Sequence, residues 1–310
     1  MKAAGGEYTG NATDNRDITI AAGFGTPDLI FAKRFNGLGT DYGPWVRSST
    51  MTGDSAKKVG TAAINAANSI QAFGTDTFQV GTAEGTNRNA NLINYLAFRD
   101  DGAGGFAVFT YTGNGAGART ITPGGSFDFT PALAWLMPES SIEALWWASA
   151  HAATNSQTWR ATPITTGITA VGVGSITVDT SYNVNLTVYH VAVWVTGSVT
   201  VIDYVGNGGS DVTHAHGLGV TPVGAMVQTR DGADPASVWR VTVTTAGAAK
   251  FGSTTAVGLI DLIDGTNVRV DSDNATNENT KLFTALAWPD EFSSGGGGGG
   301  SGALMLLGVG

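Results

Sequence analysis

Two histidines one residue apart, His214-Ala215-His216, are the pair best spaced to ligate a metal, because alternate side chains of an extended segment share a face. The competing reading is that His216 opens the turn His216-Gly217-Leu218-Gly219 while His214 lies exposed. Comparable stretches elsewhere in the chain lack both residues, so the expectation is no metal site, with His214 and His216 as its only candidates. Asp271-Ser272-Asp273-Asn274 begins like a calcium loop but continues with Ala275 and carries no glycine where such a loop turns, so it reads as a solvated turn. Gly23-Phe24-Gly25 and Gly172-Val173-Gly174 lack the third glycine of a dinucleotide fingerprint, and no serine sits between glycines at the spacing of a nucleophile elbow. Glycoside hydrolysis needs two carboxylates across a cleft. Asp100-Asp101, Glu139 with Glu143, and Asp290-Glu291 could supply them, but each lies at an edge or turn where acids serve solubility. No cofactor is expected, and the chain reads as a non-enzyme. The adjacent pair Trp146-Trp147 must face opposite ways on a strand, which makes one of the two a candidate surface aromatic for a glycan or a subunit contact.

The elements that would position such residues are strands. Thr, Ser, Asn and Gly dominate, with 45 glycines in 310 residues and only 13% charged residues. That is about half the charge of an ordinary soluble protein. A surface so poor in charge suits a subunit whose faces are covered by neighbours, and the expectation is a homo-oligomer, with a trimer favoured. A net charge of −9 and the absence of basic runs argue against nucleic acid. The absence of cysteine excludes disulfides and thiolate metal sites. The first residues have no apolar stretch able to act as a signal peptide, and no window is apolar enough to insert in a membrane.

Landmarks recur in fixed order. Tyr8-Thr9-Gly10-Asn11 returns as Tyr111-Thr112-Gly113-Asn114 and as Tyr204-Val205-Gly206-Asn207. Each is followed by Thr-Pro and an apolar stretch, at Thr26-Pro27, Thr130-Pro131 and Thr221-Pro222. Trp45, Trp159 and Trp239 come next, read as one recurring core position. Alternating strands at 78–80, 176–178 and 268–270 precede an Asn-rich turn and a closing strand that ends in an aromatic, Phe98, Trp194 or Trp288. Period-two alternation and frequent turn signals call the fold all-β, with three tandem β-sandwich (jelly-roll-like) repeats at 7–105, 106–198 and 199–292. The one helical candidate, Ser55 to Ile70, is interrupted by Gly60 and allows one or two turns at most.

Residues 293–310 differ in kind: a Gly-rich linker, then an apolar tail. Leu304, Met305, Leu306 and Leu307 would invite aggregation if left in water, and the glycines lend a reach of roughly 12 to 15 Å, so the tail is expected to be an attachment peptide.

These motifs resemble a family of repeat domains found in bacteriophage tail, fibre and related virion structural proteins. Tyr204-Val205-Gly206-Asn207-Gly208 with His216-Gly217-Leu218-Gly219-Val220-Thr221-Pro222 is similar to the opening of such units, and Pro27-Asp28-Leu29-Ile30-Phe31-Ala32-Lys33 to their apolar strand. The middle stretch Ser69 to Phe73, leading to Phe78-Gln79-Val80-Gly81, is similar as well. The second repeat departs from the pattern, with Pro123-Gly124-Gly125-Ser126 in place of the turn. The resemblance implies a phage structural protein located in the virion and assembled in the bacterial host cytoplasm, as a tail or fibre component or a capsid-surface decoration. The alternative is a host-surface glycan-binding adhesin, and behind it a glycan depolymerase. Expected partners are other virion proteins.

Overall fold

The computed structural model describes residues 1–35, 43–60, 66–125, 127–151, 156–159, 163–164, 166–231, 237–242, 248–250 and 259–290. The chain is all-β, in several antiparallel sheets with almost no helix. Residues 2–99 form β1 (Lys2–Thr9), β2 (Arg16–Thr19), β3 (Leu29–Arg34), β4 (Trp45–Ser48), β5 (Lys57–Lys58), β6 (Ile70–Gly74), β7 (Thr77–Val80), the one-turn α1 (Glu84–Asn87) and β8 (Leu92–Arg99). Residues 106–194 form β9 (Phe106–Thr112), β10 (Arg119–Ile121), β11 (Leu133–Pro138), β12 (Leu145–Ala148), β13 (Ser156–Thr158), β14 (Pro163–Ile164), β15 (Ile168–Gly172), β16 (Ser175–Val178), a single 3₁₀ turn at Thr180–Tyr182 and β17 (Val188–Trp194). Residues 200–289 form β18 (Thr200–Val205), β19 (Val212–Ala215), β20 (Pro222–Thr229), β21 (Val238–Val241), β22 (Ala249–Lys250), β23 (Ile260–Ile263), β24 (Asn267–Val270), α2 (Asn274–Asn277) and β25 (Leu282–Pro289).

Each of these stretches contributes one larger sheet and one three-stranded sheet. The larger sheets run β1-β8-β3-β4-β5, β9-β17-β11-β12-β13-β14 and β18-β25-β20-β21-β22; the smaller ones run β2-β7-β6, β10-β16-β15 and β19-β24-β23. The first strand of each stretch pairs with the last, so the larger sheet closes only when the whole stretch is present. Described residues of the expected helix at 55–70 are extended instead, in β5 and in a bridge between Ala56 and Ala66. Among the described residues no helix is long and apolar enough to cross a membrane.

The larger sheets are buried on both faces, which explains why β3, β11 and β20 read as continuous apolar runs. In β3, Ile30 and Ala32 join a core that also draws Ile18, Ile70, Phe78 and Val80 from the smaller sheet of the same stretch. Leu29 and Phe31 point the other way, into a cluster shared by all three stretches. The same alternation places Ala134 and Leu136 in the second local core and Leu133, Trp135 and Met137 in the shared cluster.

The pairing corrects one expectation. Trp146 lies opposite Trp135, Trp239 opposite Met226 and Val46 opposite Phe31, so these three occupy one position, whereas Trp45 lies one residue away, opposite Ala32. A shift of one residue turns a side chain to the other face of the sheet. Trp45 accordingly packs in a local core and Trp239 in the shared cluster, while Trp159 lies beyond β13. Trp45, Trp159 and Trp239 are therefore not one recurring position.

Candidate functional site

The recurring Tyr-x-Gly-Asn motif is a clasp that ties the end of the first strand to the turn before the last. Tyr8, Tyr111 and Tyr204 donate their hydroxyls to the carbonyls of Thr86, Tyr182 and Thr276. Burial pushes all three phenols far above their ordinary pKa, so they remain donors at any physiological pH. A Cβ at Gly10, Gly113 or Gly206 would run into the backbone carbonyl of Arg88, Val184 or Glu278, which is why only glycine fits there. The motif's asparagine offers its backbone N–H to a buried asparagine of the later turn: Asn11 to Asn87 at 3.0 Å, Asn114 to Asn183 at 3.1 Å, and Asn207 to Asn277 at 3.0 Å. The amides of those buried residues donate back into the first turn, to Thr13, to Asn114 and Ala116, and to Asn207 and Gly209, and Asn87 also donates to the Gly81 carbonyl after β7. The sequence reading found the first half of this clasp and missed Asn87, Asn183 and Asn277. The signal was their recurrence inside the Asn-rich turns.

The shared cluster holds the densest chemistry of the molecule. The rings of Phe98, Trp194 and Trp288, which end the three closing strands, lie 5.4, 5.5 and 6.4 Å apart. Trp135 packs edge-on against Trp159 and Trp194, both at 4.9 Å, and Phe31 meets Trp135, Trp159 and Trp239. The indole N–H groups of Trp135, Trp194 and Trp288 have no hydrogen-bond acceptor among the described residues. At the rim, Trp146 donates to Gln228 at 2.9 Å, Gln228 donates to the Thr158 carbonyl at 2.7 Å, and Ser237 donates to Gln228 and to the Trp159 carbonyl.

Trp146 and Trp147 are 1% and 5% exposed, Trp146 in the shared cluster and Trp147 in the local core of its own stretch. The expectation of a surface aromatic is corrected: both faces of β12 are covered, so neither ring is open to a sugar, and Trp146 packs on His151 and Trp159 and hydrogen-bonds to Gln228 of the third stretch. His214 stacks on Tyr204 with ring centres 3.7 Å apart, and burial lowers its pKa. His216 is buried with both nitrogens occupied, Nδ1 accepting from the Leu218 N–H and Nε2 facing the Asp264 carbonyl at 2.9 Å. Neither arrangement presents a pair of free imidazole lone pairs, and among the described residues no cluster of three or more metal-ligating side chains forms. Asp273 caps α2 and pairs with Lys250 at 2.9 Å, a structural role in place of a calcium loop. Leu304, Met305, Leu306 and Leu307 lie outside the described residues.

One acid–base constellation escaped the sequence reading because its parts are far apart in the chain. Glu139 sits 2.7 Å from His190 Nε2, His190 Nδ1 is 2.8 Å from the Thr50 hydroxyl, and that hydroxyl is 2.6 Å from Ser48. The order carboxylate, imidazole, hydroxyl is that of a hydrolase triad. His190 is nevertheless 1% exposed, and desolvation holds its pKa below the ordinary value. Thr50 belongs to the first stretch and His190 and Glu139 to the second, so these hydrogen bonds tie the two stretches together.

Two open clefts lie at the links between stretches. One of about 360 Å³ is lined by Thr196, Gly197, Thr200, Gly217 and Leu218 among others. Another of about 540 Å³ is lined by Asp100, Gly104, Phe106, Phe127, Asp128 and Phe129 among others. Each combines a link with the loop that precedes the central strand of the following stretch. They supply hydroxyls, carboxylates and ring edges for a polar ligand, but no ordered nucleophile and base.

No family model and no curated protein matches this chain.

Proposed function

We propose that the chain is a structural protein of a bacteriophage-type virion, a tail or fibre component or a capsid-surface decoration, built from three tandem copies of one β-sandwich domain. The observation that carries the three-copy reading is the clasp: the same tyrosine, glycine and pair of asparagines, with the same donors and acceptors, at three places in the chain. Larger and smaller sheets that share one local core per stretch support it. The virion assignment rests on the resemblance of these motifs to repeat domains of phage structural proteins and on a surface poor in charge. Such a surface suits packing against other virion proteins. The apolar tail around Leu304 to Leu307 is the attachment peptide in this reading.

In this reading the protein is a scaffold and not an enzyme, and the buried imidazole of His190, 1% exposed, is a structural link between Glu139 and Thr50. The adhesin reading now depends on the clefts at the links, because the tryptophan pair is buried. Quantitative mass spectrometry of particles purified from the source host tests the assignment. The chain is expected at a fixed stoichiometry in washed particles, and its absence from them would overturn the reading. Truncation after Ser294 is expected to abolish incorporation; incorporation at the normal level would refute the role of the tail.

A further inference from the structure

We infer that the three stretches close into a pseudo-trimer within one chain, so that the inward face of each larger sheet has the other two as its partners and no second copy enters there. This rests on the three-copy part of the reading above.

Strand register supplies the equivalences without any fitting. Phe31 pairs with Leu96, Trp135 with Ala192 and Met226 with Leu286, and two residues further along the closing strands stand Phe98, Trp194 and Trp288. A threefold axis requires equivalent residues of the three bodies to lie at nearly equal mutual distances. The ring separations of 5.4, 5.5 and 6.4 Å meet that condition. Equivalent residues of the next positions, Val46, Trp146 and Trp239, lie in the same cluster.

The contacts are also head to tail in one rotational sense. Lys57 and Gln157 are equivalent, since they pair with Val46 and Trp146. Lys57 reaches forward to the Ser140 and Ile142 carbonyls at 2.7 and 2.9 Å, and Gln157 reaches forward to the Thr229 carbonyl at 2.6 Å, in each case beside the turn between the third and fourth strands of the next larger sheet. The third stretch in turn meets the first through another part of the sheets: a Cβ added to Gly224 would come within 3.0 Å of Leu96, and one added to Gly5 would run into Val241 and the Val223 carbonyl. A heterologous contact that returns to its start after three steps makes a closed ring and not a filament. The axis is filled: Phe31 and Phe98 have no exposed surface, and neither do Trp194 and Trp288. The inward faces of the larger sheets are thus covered within one chain, so that no homotrimer is needed to bury them.

The absence of cysteine makes the test direct, because any disulfide reports only the pair introduced. Two full-length variants are oxidised and run on a non-reducing gel, Thr50→Cys with His190→Cys, and Leu96→Cys with Gly224→Cys. Both are expected to migrate as a single chain of 31.7 kDa. Cutting a protease site placed in the exposed turn at Gly102 to Gly104 should leave the two fragments joined until reductant is added. Ladders of two and three chains from either pair would overturn the inference, as would a folded protein in which neither pair cross-links. Ladders accompanied by equal losses of stability in Asn183→Ala and Asn277→Ala would overturn the ring while the three-copy reading stands. Oligomers made by the tail do not confuse the result, since they carry no disulfide.

Discussion

The local cores and the shared cluster are built from the same strands, yet they differ in how they are specified. A local core such as that of Tyr111, Ile121, Ile176 and Tyr189 draws only on its own stretch and is locked by a clasp of short motifs. The shared cluster takes Phe31, Trp135 and Trp288 from three separate stretches and is held by ring packing, with a hydrogen-bonded group around Trp146 and Gln228 at its rim. Small residues and clasps repeat almost unchanged around the local cores. In the shared cluster, equivalent positions are free to differ, as Phe31, Trp135 and Met226 do, because each faces neighbours of different size. Density is conserved there and identity is not.

The largest expected effect breaks the shared cluster. Trp135→Ala removes a ring in contact with Trp159, Trp194 and Trp288 and should cost about 3–5 kcal/mol in urea-induced unfolding, as for other buried aromatics. Trp135→Phe should cost clearly less, because the indole N–H it deletes has no acceptor among the described residues. Equal losses for the two variants would show that the indole is bound by something else.

Asn183→Ala and Asn277→Ala test the local side of the comparison. Each removes a buried side chain that holds a backbone N–H and carbonyls of the first turn, which should cost about 1–3 kcal/mol, alike in the two stretches. A large difference between them would mean that the clasps are not equivalent.

A pH titration probes the bond between the first and second stretches. Burial depresses the His190 pKa, so the unfolded chain takes up a proton first as the pH falls through about 6.5. Stability should therefore decline below that pH and level off once the native imidazole also protonates. His190→Gln should flatten the decline, though only in part, because burial depresses the pKa of His214 in the same direction. An unchanged slope in the variant would show that His190 does not titrate in this window. The smallest effect is expected for Tyr111→Phe, which removes one 2.6 Å hydrogen bond and should cost about 1 kcal/mol in the same unfolding assay.

Much of this was legible in the residues alone. Alternation and turn chemistry marked the strands at 78–80, 176–178 and 268–270, which fall in β7, β16 and β24. The recurring Tyr-x-Gly-Asn marked the clasp because both the close backbone approach and the hydroxyl donor demand particular residue types. The tryptophans were misassigned because a strand buried on both faces has no alternation to show which way a side chain points. Spacing alone could not separate Trp45 from Trp239, and Trp146 and Trp147 looked free for the same reason.

By itself, then, the sequence determined what depends on neighbours along the chain: the all-β class, the order of strands and the turns, since dihedral preference and local hydrogen bonding act over a few residues. Only the tertiary structure decided that the closing aromatics Phe98, Trp194 and Trp288 meet, that Glu139, His190 and Thr50 line up, and that His216 spends both nitrogens on its own fold. Apart from the His216–Leu218 bond, those contacts join residues far apart in the chain, brought together by burial of apolar surface that leaves no local motif to read.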